Sequence, residues 1–453
     1  MDAFASALEQ AAAVRRQEVS AGELAELHLR RIEQLNPELN AYVLVTADLA
    51  RELAARPGTG RPLAGASASV KDLAALEGHP MTLGSRAFKD FVPPWESFSV
   101  TRLKQEGCVI LGKTNTSEFG TRPVTEYGLY GPTRNPWDRS RSAGGSSGGA
   151  AAAVAAGLCA LAQGSDGGGS VRIPASCCGV VGLKPARGRI SPGPFLGEGW
   201  AGLATDGVLA RTVRDAAAGL DAMAGHLPGD PYWAEADGSF REQARPPGKP
   251  LRVAFTGAAS APLDADVRSV LEAAARQSER LGHQVEEGGP DTGELRAAML
   301  VIVTAGIASL PVADPSLLDP INAQAFEAAR QITGTQYVQA VDLIRRVSRQ
   351  VVAFWDEHDV LLTPTLTQPA PRLGTLGAEP ATAHDEYLDW LSFTYPYNCT
   401  GQPALSLPLG MTPGGLPVGV QLVGPPRGEA VILQLAAQLE EAMPWRERRP
   451  PGV

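Results

Sequence analysis

Between Gly144 and Gly188 the chain carries only four charged residues in forty-five positions, and glycine, alanine and serine dominate. Such composition alone reads as a flexible linker. The order of the residues argues against that. The glycines stand in short clusters, Gly144-Gly145 with Gly148-Gly149 and then Gly167-Gly168-Gly169. Between them lies an Ala/Val/Leu run, 150–162, built of strong helix formers. The segment therefore reads as ordered.

The flanks add alternating strand and helix. Ser20-Ala21-Gly22-Glu23 forms a capping box that opens a helix to about Gln34, stopped at Pro37. Residues 41–46 read as a strand and 47–55 as a helix. A charged helix over 97–106 leads into the apolar strand Cys108–Leu111. Residues 226–250, rich in Pro, Gly and charge, read as a linker or a surface excursion. Beyond them come a strand at LRVAFTG, an amphipathic helix over 264–281 and one or two helices over 322–357. Strands at 359–362 and 418–423 and a last helix at 428–441 complete the pattern, which is that of an α/β layer fold.

Composition removes several classes of function. The 453 residues carry a net charge of −9, which argues against general binding to nucleic acid or anionic membrane. No run of eighteen apolar residues exists, and the N-terminus lacks the basic and apolar regions of a signal peptide. Five cysteines without a CxxC, and six scattered histidines without HExxH, favour neither a disulfide framework nor a metal site. A reducing cytoplasm fits that usage.

Two short formulas occur and fail on context. Gly107–Thr114 satisfies GxxxxGK[ST], yet its interior, CVIL, is an apolar strand and not a pliable nest of N–H groups. Gly145-Ser146-Ser147-Gly148-Gly149 satisfies GxSxG, the nucleophile turn of an α/β-hydrolase esterase, but NPWDRSRSAG in front of it is no strand.

A third pattern takes the whole block: Gly144–Gly149, the Ala-rich segment, then Gly164-Ser165-Asp166-Gly167-Gly168-Gly169-Ser170-Val171-Arg172-Ile173-Pro174. With Ser69-Val70-Lys71-Asp72 upstream and Gly182-Leu183-Lys184-Pro185 downstream, it resembles the amidase signature family. The resemblance is dense over about 62–193 and returns more weakly at 359–365 and 400–408. It implies one amidase domain over 1–453, with a large mixed β-sheet covered by helices on both faces. It also implies a more variable pocket region at about 194–400. The stretches 125–138 and 175–189 lean towards the 6-aminohexanoate-cyclic-dimer hydrolase branch.

Carried over residue by residue, the resemblance makes Ser170 the nucleophile, Ser146 a bridging serine on a cis peptide and Lys71 the base. The chemistry is coherent. A serine hydroxyl needs a neighbour to take its proton, and lysine can do so only when neutral. Its pKa must fall from about 10.4 towards 7–8, and burial can achieve that. The N–H groups of Gly167, Gly168 and Gly169, with that of Ser170, are candidates for an oxyanion hole. Ser147, Asp166 and Arg172 read as supports of the loop, Ser147 as a helix N-cap and Asp166 with Arg172 as a pair. Cys177 and Cys178 read as small core residues.

The implied reaction is hydrolysis of a small amide through an acyl-enzyme, with no metal or organic cofactor. No nucleic-acid or membrane partner is expected, and a homodimer stays open. The alternative within the family is the glutaminase subunit of a tRNA-dependent amidotransferase, whose late Arg-rich stretch has no good counterpart around 325–345. Specificity is expected in 190–205 and 300–400. There Phe393, Tyr395 and Tyr397 could wall a pocket, although core packing is the simpler role.

Overall fold

The computed structural model describes residues 1–58 and 60–453. Among them, eleven strands form one sheet: β1 (Tyr42–Val45), β2 (Ser67–Lys71), β3 (Val109–Thr114), β4 (Leu161–Asp166), β5 (Val181–Lys184), β6 (Thr205–Ala210), β7 (Arg252–Phe255), β8 (Gln284–Glu287), β9 (Val360–Pro364), β10 (Ala404–Met411) and β11 (Pro417–Val423). Their order is β1-β3-β2-β4-β6-β5-β10-β11-β9-β7-β8. The sheet is mixed. β2 runs parallel to β3 and β4, β7 runs parallel to β8 and β9, and the other pairings are antiparallel.

Helices cover both faces, and strand periodicity shows why. Val109 and Leu111 enter one apolar core and Ile110 the other; Leu209 enters the first, Val208 and Ala210 the second. The helices Gly148–Ala155 and Leu295–Ala308 pack in the first core, Val213–Met223 and Glu429–Ala442 in the second. Among the described residues no helix is long and apolar enough to cross a membrane.

The helix Gly148–Ala155 is buried along its whole length. Its small residues make this possible. A Cβ on Gly149 would stand 2.4 Å from the carbonyl oxygen of Ala41 and from the N–H nitrogen of Asn115. No rotamer change relieves a clash with backbone, so this position admits no side chain. The helix is shorter than the Ala-rich run predicts. Gly157 takes φ +66°, and Leu158 N–H bonds back to the Ala153 carbonyl, so the chain turns and enters β4 at Leu161. Propensity ran on to 162, and the sheet pairing of 161–166 overrode it.

The capping box at Ser20 and Glu23 is present, but the helix runs over Ala21–Leu39, through Pro37. Proline there costs only the bond to the Glu33 carbonyl. Residue 33 is exposed, where water can take that carbonyl, and the last turn buries Leu39. The stretch 322–357 resolves into helices Pro320–Ala329 and Gly334–Ala353. Most of 226–250 has no regular structure, with one short helix, Phe240–Gln243.

Candidate active site

Parallel neighbours β2 and β4 end at the same edge of the sheet, which is where such sheets present their functional loops. β2 ends on Lys71. β4 ends on Asp166 and releases the loop Gly167–Ser170, which enters the helix Arg172–Cys178. Ser146 arrives from a third direction, just before Gly148–Ala155, and the Gly145–Ser146 peptide is cis.

Lys71 is fully buried, and its Nζ donates to Ser146 Oγ at 2.7 Å and to Ser165 Oγ at 3.0 Å. Its backbone N–H is held by Gln163 Oε1 at 3.0 Å. Burial brings its pKa down to about 7, against the opposing pull of the Asp166 and Asp206 carboxylates. A second buried lysine, Lys184, is also lowered to about 7 by burial, but its Nζ donates to the Pro185 carbonyl and, among the described residues, to no hydroxyl. Geometry, and not pKa, separates the two.

Ser146 and Ser170 line one cavity of about 260 Å³. Among the described residues no hydrogen bond joins their hydroxyls. Catalytic hydrogen bonds commonly close only when substrate is seated. The two segments are nonetheless tied together: Ser147 N–H donates to the Ser170 carbonyl at 3.1 Å, and Ser147 Oγ donates to the Ser165 carbonyl at 3.2 Å. Ser147 stands at the N-cap position, but its hydroxyl makes no cap bond. Thr125 Oγ1 does that work, accepting from Gly148 N–H at 3.2 Å and donating to the Ser146 carbonyl at 3.1 Å.

The glycine loop is held by the Asp166–Arg172 pair, which is present and fully buried. Arg172 Nε and Nη2 grip the two carboxylate oxygens at 3.0 and 2.8 Å. The rest of the guanidinium meets the Thr394 carbonyl, Gln421 Oε1 and Asn398 Oδ1. Burial opposes the Asp166 charge, yet Arg172 holds the carboxyl well below the usual range. Asp166 Oδ1 also accepts the Gly169 N–H at 2.8 Å, so that donor is spent inside the loop. Gly167, Gly168 and Ser170 keep N–H groups without a protein partner among the described residues. Gly169 takes φ +131°, and a Cβ there would stand 2.4 Å from Thr394 Oγ1.

Arg172→Ala leaves Asp166 buried and uncompensated. The expected loss is about 3–5 kcal/mol of stability, read as a lowered melting temperature. A loss below about 1 kcal/mol would mean that Asn398 and the loop N–H groups suffice for the carboxylate.

Residues 190–205 do form much of the cavity wall, with Ile190, Leu196 and Trp200, and Ile307 and Leu310 face them. A second space of about 60 Å³, lined by Met299, Tyr387 and Leu391, lies beyond Trp200. Ser170 and Trp200 border both spaces. Phe393, Tyr395 and Tyr397 are buried and line neither. Cys177 and Cys178 are buried and free. Gly107–Thr114 contains β3, whose Lys113 is buried against Asp72 at 2.5 Å. Sequence reasoning missed Gln163, Ser165, Thr125 and Asp206. Ser165 lies within the block Gly164–Pro174 and Gln163 directly precedes it, but Thr125 and Asp206 had no local signal.

Residues 23–433 match the Amidase family. The chain belongs to that family. This amidase is 38% identical to the 6-aminohexanoate-cyclic-dimer hydrolase of Pseudomonas sp. (strain NK87), over 99% of this chain and 97% of that one. It is 39% identical to an acylamidase of Rhodococcus erythropolis, over 98% and 97% respectively. A solved structure of 6-aminohexanoate cyclic dimer hydrolase superposes on it with a TM-score of 0.95 at 37% identity, covering 100% of this chain and 99% of that one. The amidase is thus a hydrolase of carbon–nitrogen bonds with the amidase signature fold.

Proposed function

We propose that this amidase cleaves the carboxamide bond of a small substrate through an acyl-enzyme on Ser170, with Ser146 and Lys71 as its proton relay. The observation that carries the reading is the 2.7 Å bond between Lys71 Nζ and Ser146 Oγ, at the wall of the cavity that Ser170 also borders.

In this reading Ser170 Oγ attacks the carbonyl carbon while its proton passes to Ser146, whose own proton passes to neutral Lys71. The oxyanion accepts from the N–H groups of Gly167, Gly168 and Ser170. The carbon–nitrogen bond breaks, and the amine leaves with the proton returned along the relay. Water, activated by the same relay, then attacks the ester and frees Ser170.

The apolar wall of Leu83, Phe119, Ile190 and Leu310 suits an alkyl-rich substrate. With the likeness to the cyclic-dimer hydrolases, this favours an aliphatic amide, linear or cyclic. A panel of short aliphatic, aromatic and glutamine amides with the cyclic 6-aminohexanoate dimer, assayed for ammonia or amine release, tests this. Turnover of the aliphatic or cyclic members above the others is expected. Release from glutamine alone would point instead to the amidotransferase subunit.

A further inference from the structure

We propose that Asp206 is the specificity-determining residue of this cavity, and that it selects amides carrying a cationic nitrogen. The inference rests on the amidase chemistry proposed above and names its substrate class.

Asp206 lies on β6 directly opposite Ser165 of β4 in the antiparallel register. Side chains of such a pair project to the same face about 5 Å apart. Ser165 Oγ, with Ser146 Oγ, accepts from Lys71 Nζ. Asp206 is therefore set beside the proton relay by sheet pairing, not by a loop. It keeps some accessible surface, and it lines the cavity together with Ser146 and Ser170.

Its surroundings leave a charge unanswered. Ser99 Oγ donates to Asp206 Oδ2 at 2.5 Å, from the helix Phe98–Gln105. The Gln163 amide of β4 lies near enough to favour its charged form. Among the described residues no lysine, arginine or histidine forms an ion pair with it. Among the buried carboxylates of the described residues, Asp72 meets Lys113, Asp166 meets Arg172, Asp319 meets Arg122 and Glu429 meets Arg189, while Glu118, Glu126 and Asp215 are without an ion pair, like Asp206, but line neither cavity. Burial accordingly pushes the Asp206 carboxyl up, with Lys71 the cation that acts on it through space. Arg187 also borders the cavity, but its guanidinium is occupied by the carbonyls of Gly202, Asn398 and Cys399. Glu198, on the exposed loop, is the remaining charge on the wall.

In the free enzyme this placement works against the base. A carboxylate near Lys71 favours its protonated form, and only the neutral form accepts a proton. A substrate cation resting on Asp206 cancels that field. It satisfies the carboxylate and favours the neutral form of Lys71, whose proton passes to solvent water, so selection and activation are coupled. The apolar side chains that line the same cavity then hold the alkyl chain that joins cation to amide.

The cation could sit on either side of the scissile bond, and the test has an arm for each. One compares ω-ammonioalkyl carboxamides with unbranched neutral carboxamides of equal length. The other compares N-(ω-aminoalkyl)acetamides with N-alkylacetamides. At neutral pH the wild-type kcat/KM is expected to favour the cationic member about tenfold or more at the best chain length in one arm. Asp206→Asn should bring that ratio close to unity and move the acidic limb for neutral amides to lower pH. A ratio near unity in both arms of the wild type overturns the inference, even if the Asn variant fails to fold. So does a preference that survives Asp206→Asn. Turnover of neutral amides without preference leaves the amidase chemistry standing and removes only this inference. No turnover of any amide removes both.

Discussion

Ser170→Ala is expected to lower kcat/KM for a good amide substrate on the order of 10⁴-fold or more, with the melting temperature near that of the wild type. The large effect follows from losing the atom that, in the proposed mechanism, forms the acyl bond. The N–H groups of the loop and the cavity walls remain, so a small residual rate over water is expected. The small effect on stability follows from position. Ser170 is only 7% exposed, but it borders two cavities, and its backbone carbonyl keeps the bond from Ser147. Steady-state kinetics with circular dichroism reads both. Turnover persisting in a folded variant would place the nucleophile elsewhere.

Lys71→Ala is expected to cost about 10²–10⁴-fold in kcat/KM, the range of a general base. The pH dependence makes the test specific. Burial favours the neutral amine and sets Lys71 at about 7. Wild-type kcat/KM should therefore fall about tenfold per unit below pH 7 as Lys71 takes up a proton, and level off above it. The variant should lose that inflection. An unchanged limb would show that another group is the base. Lys184 would then be the first to test, because burial sets it in the same range.

Much of the fold was legible from periodicity. The strands at β1, β7, β9 and β11 and the helices Ala47–Ala55, Phe98–Gln105, Ala265–Arg280 and Glu429–Ala442 lie within about two residues of their predicted spans. β2, β5 and β6 were not read as strands. Their residues, SASVK, VGLK and TDGVLA, are too short or too small to show a period, and central pairing makes them strands. The Ala-rich run failed for the converse reason. It has helix propensity throughout, but a left-handed glycine and a waiting strand partner divide it.

The same division runs through the site. The residues of the amidase signature, Lys71, Ser146, Ser170, the glycine loop and the Asp166–Arg172 pair, were set by the sequence itself. Their order and spacing along the chain carry the resemblance, and the close approaches at Gly149 and Gly169 need glycine. Register decided the rest. Asp206 stands thirty-six residues beyond Ser170 and belongs to no motif, yet antiparallel pairing of β4 with β6 sets it opposite Ser165. Gln163 holds Lys71 because β2 and β4 run side by side, and Thr125 caps a helix that Ser147 is better placed to cap by sequence. Gly169 looks like an oxyanion donor until the fold turns its N–H onto Asp166. A linear chain records which groups are available. Only the folded sheet decides which of them face one another, because hydrogen bonds and charges act across a few ångströms of space and not along the sequence.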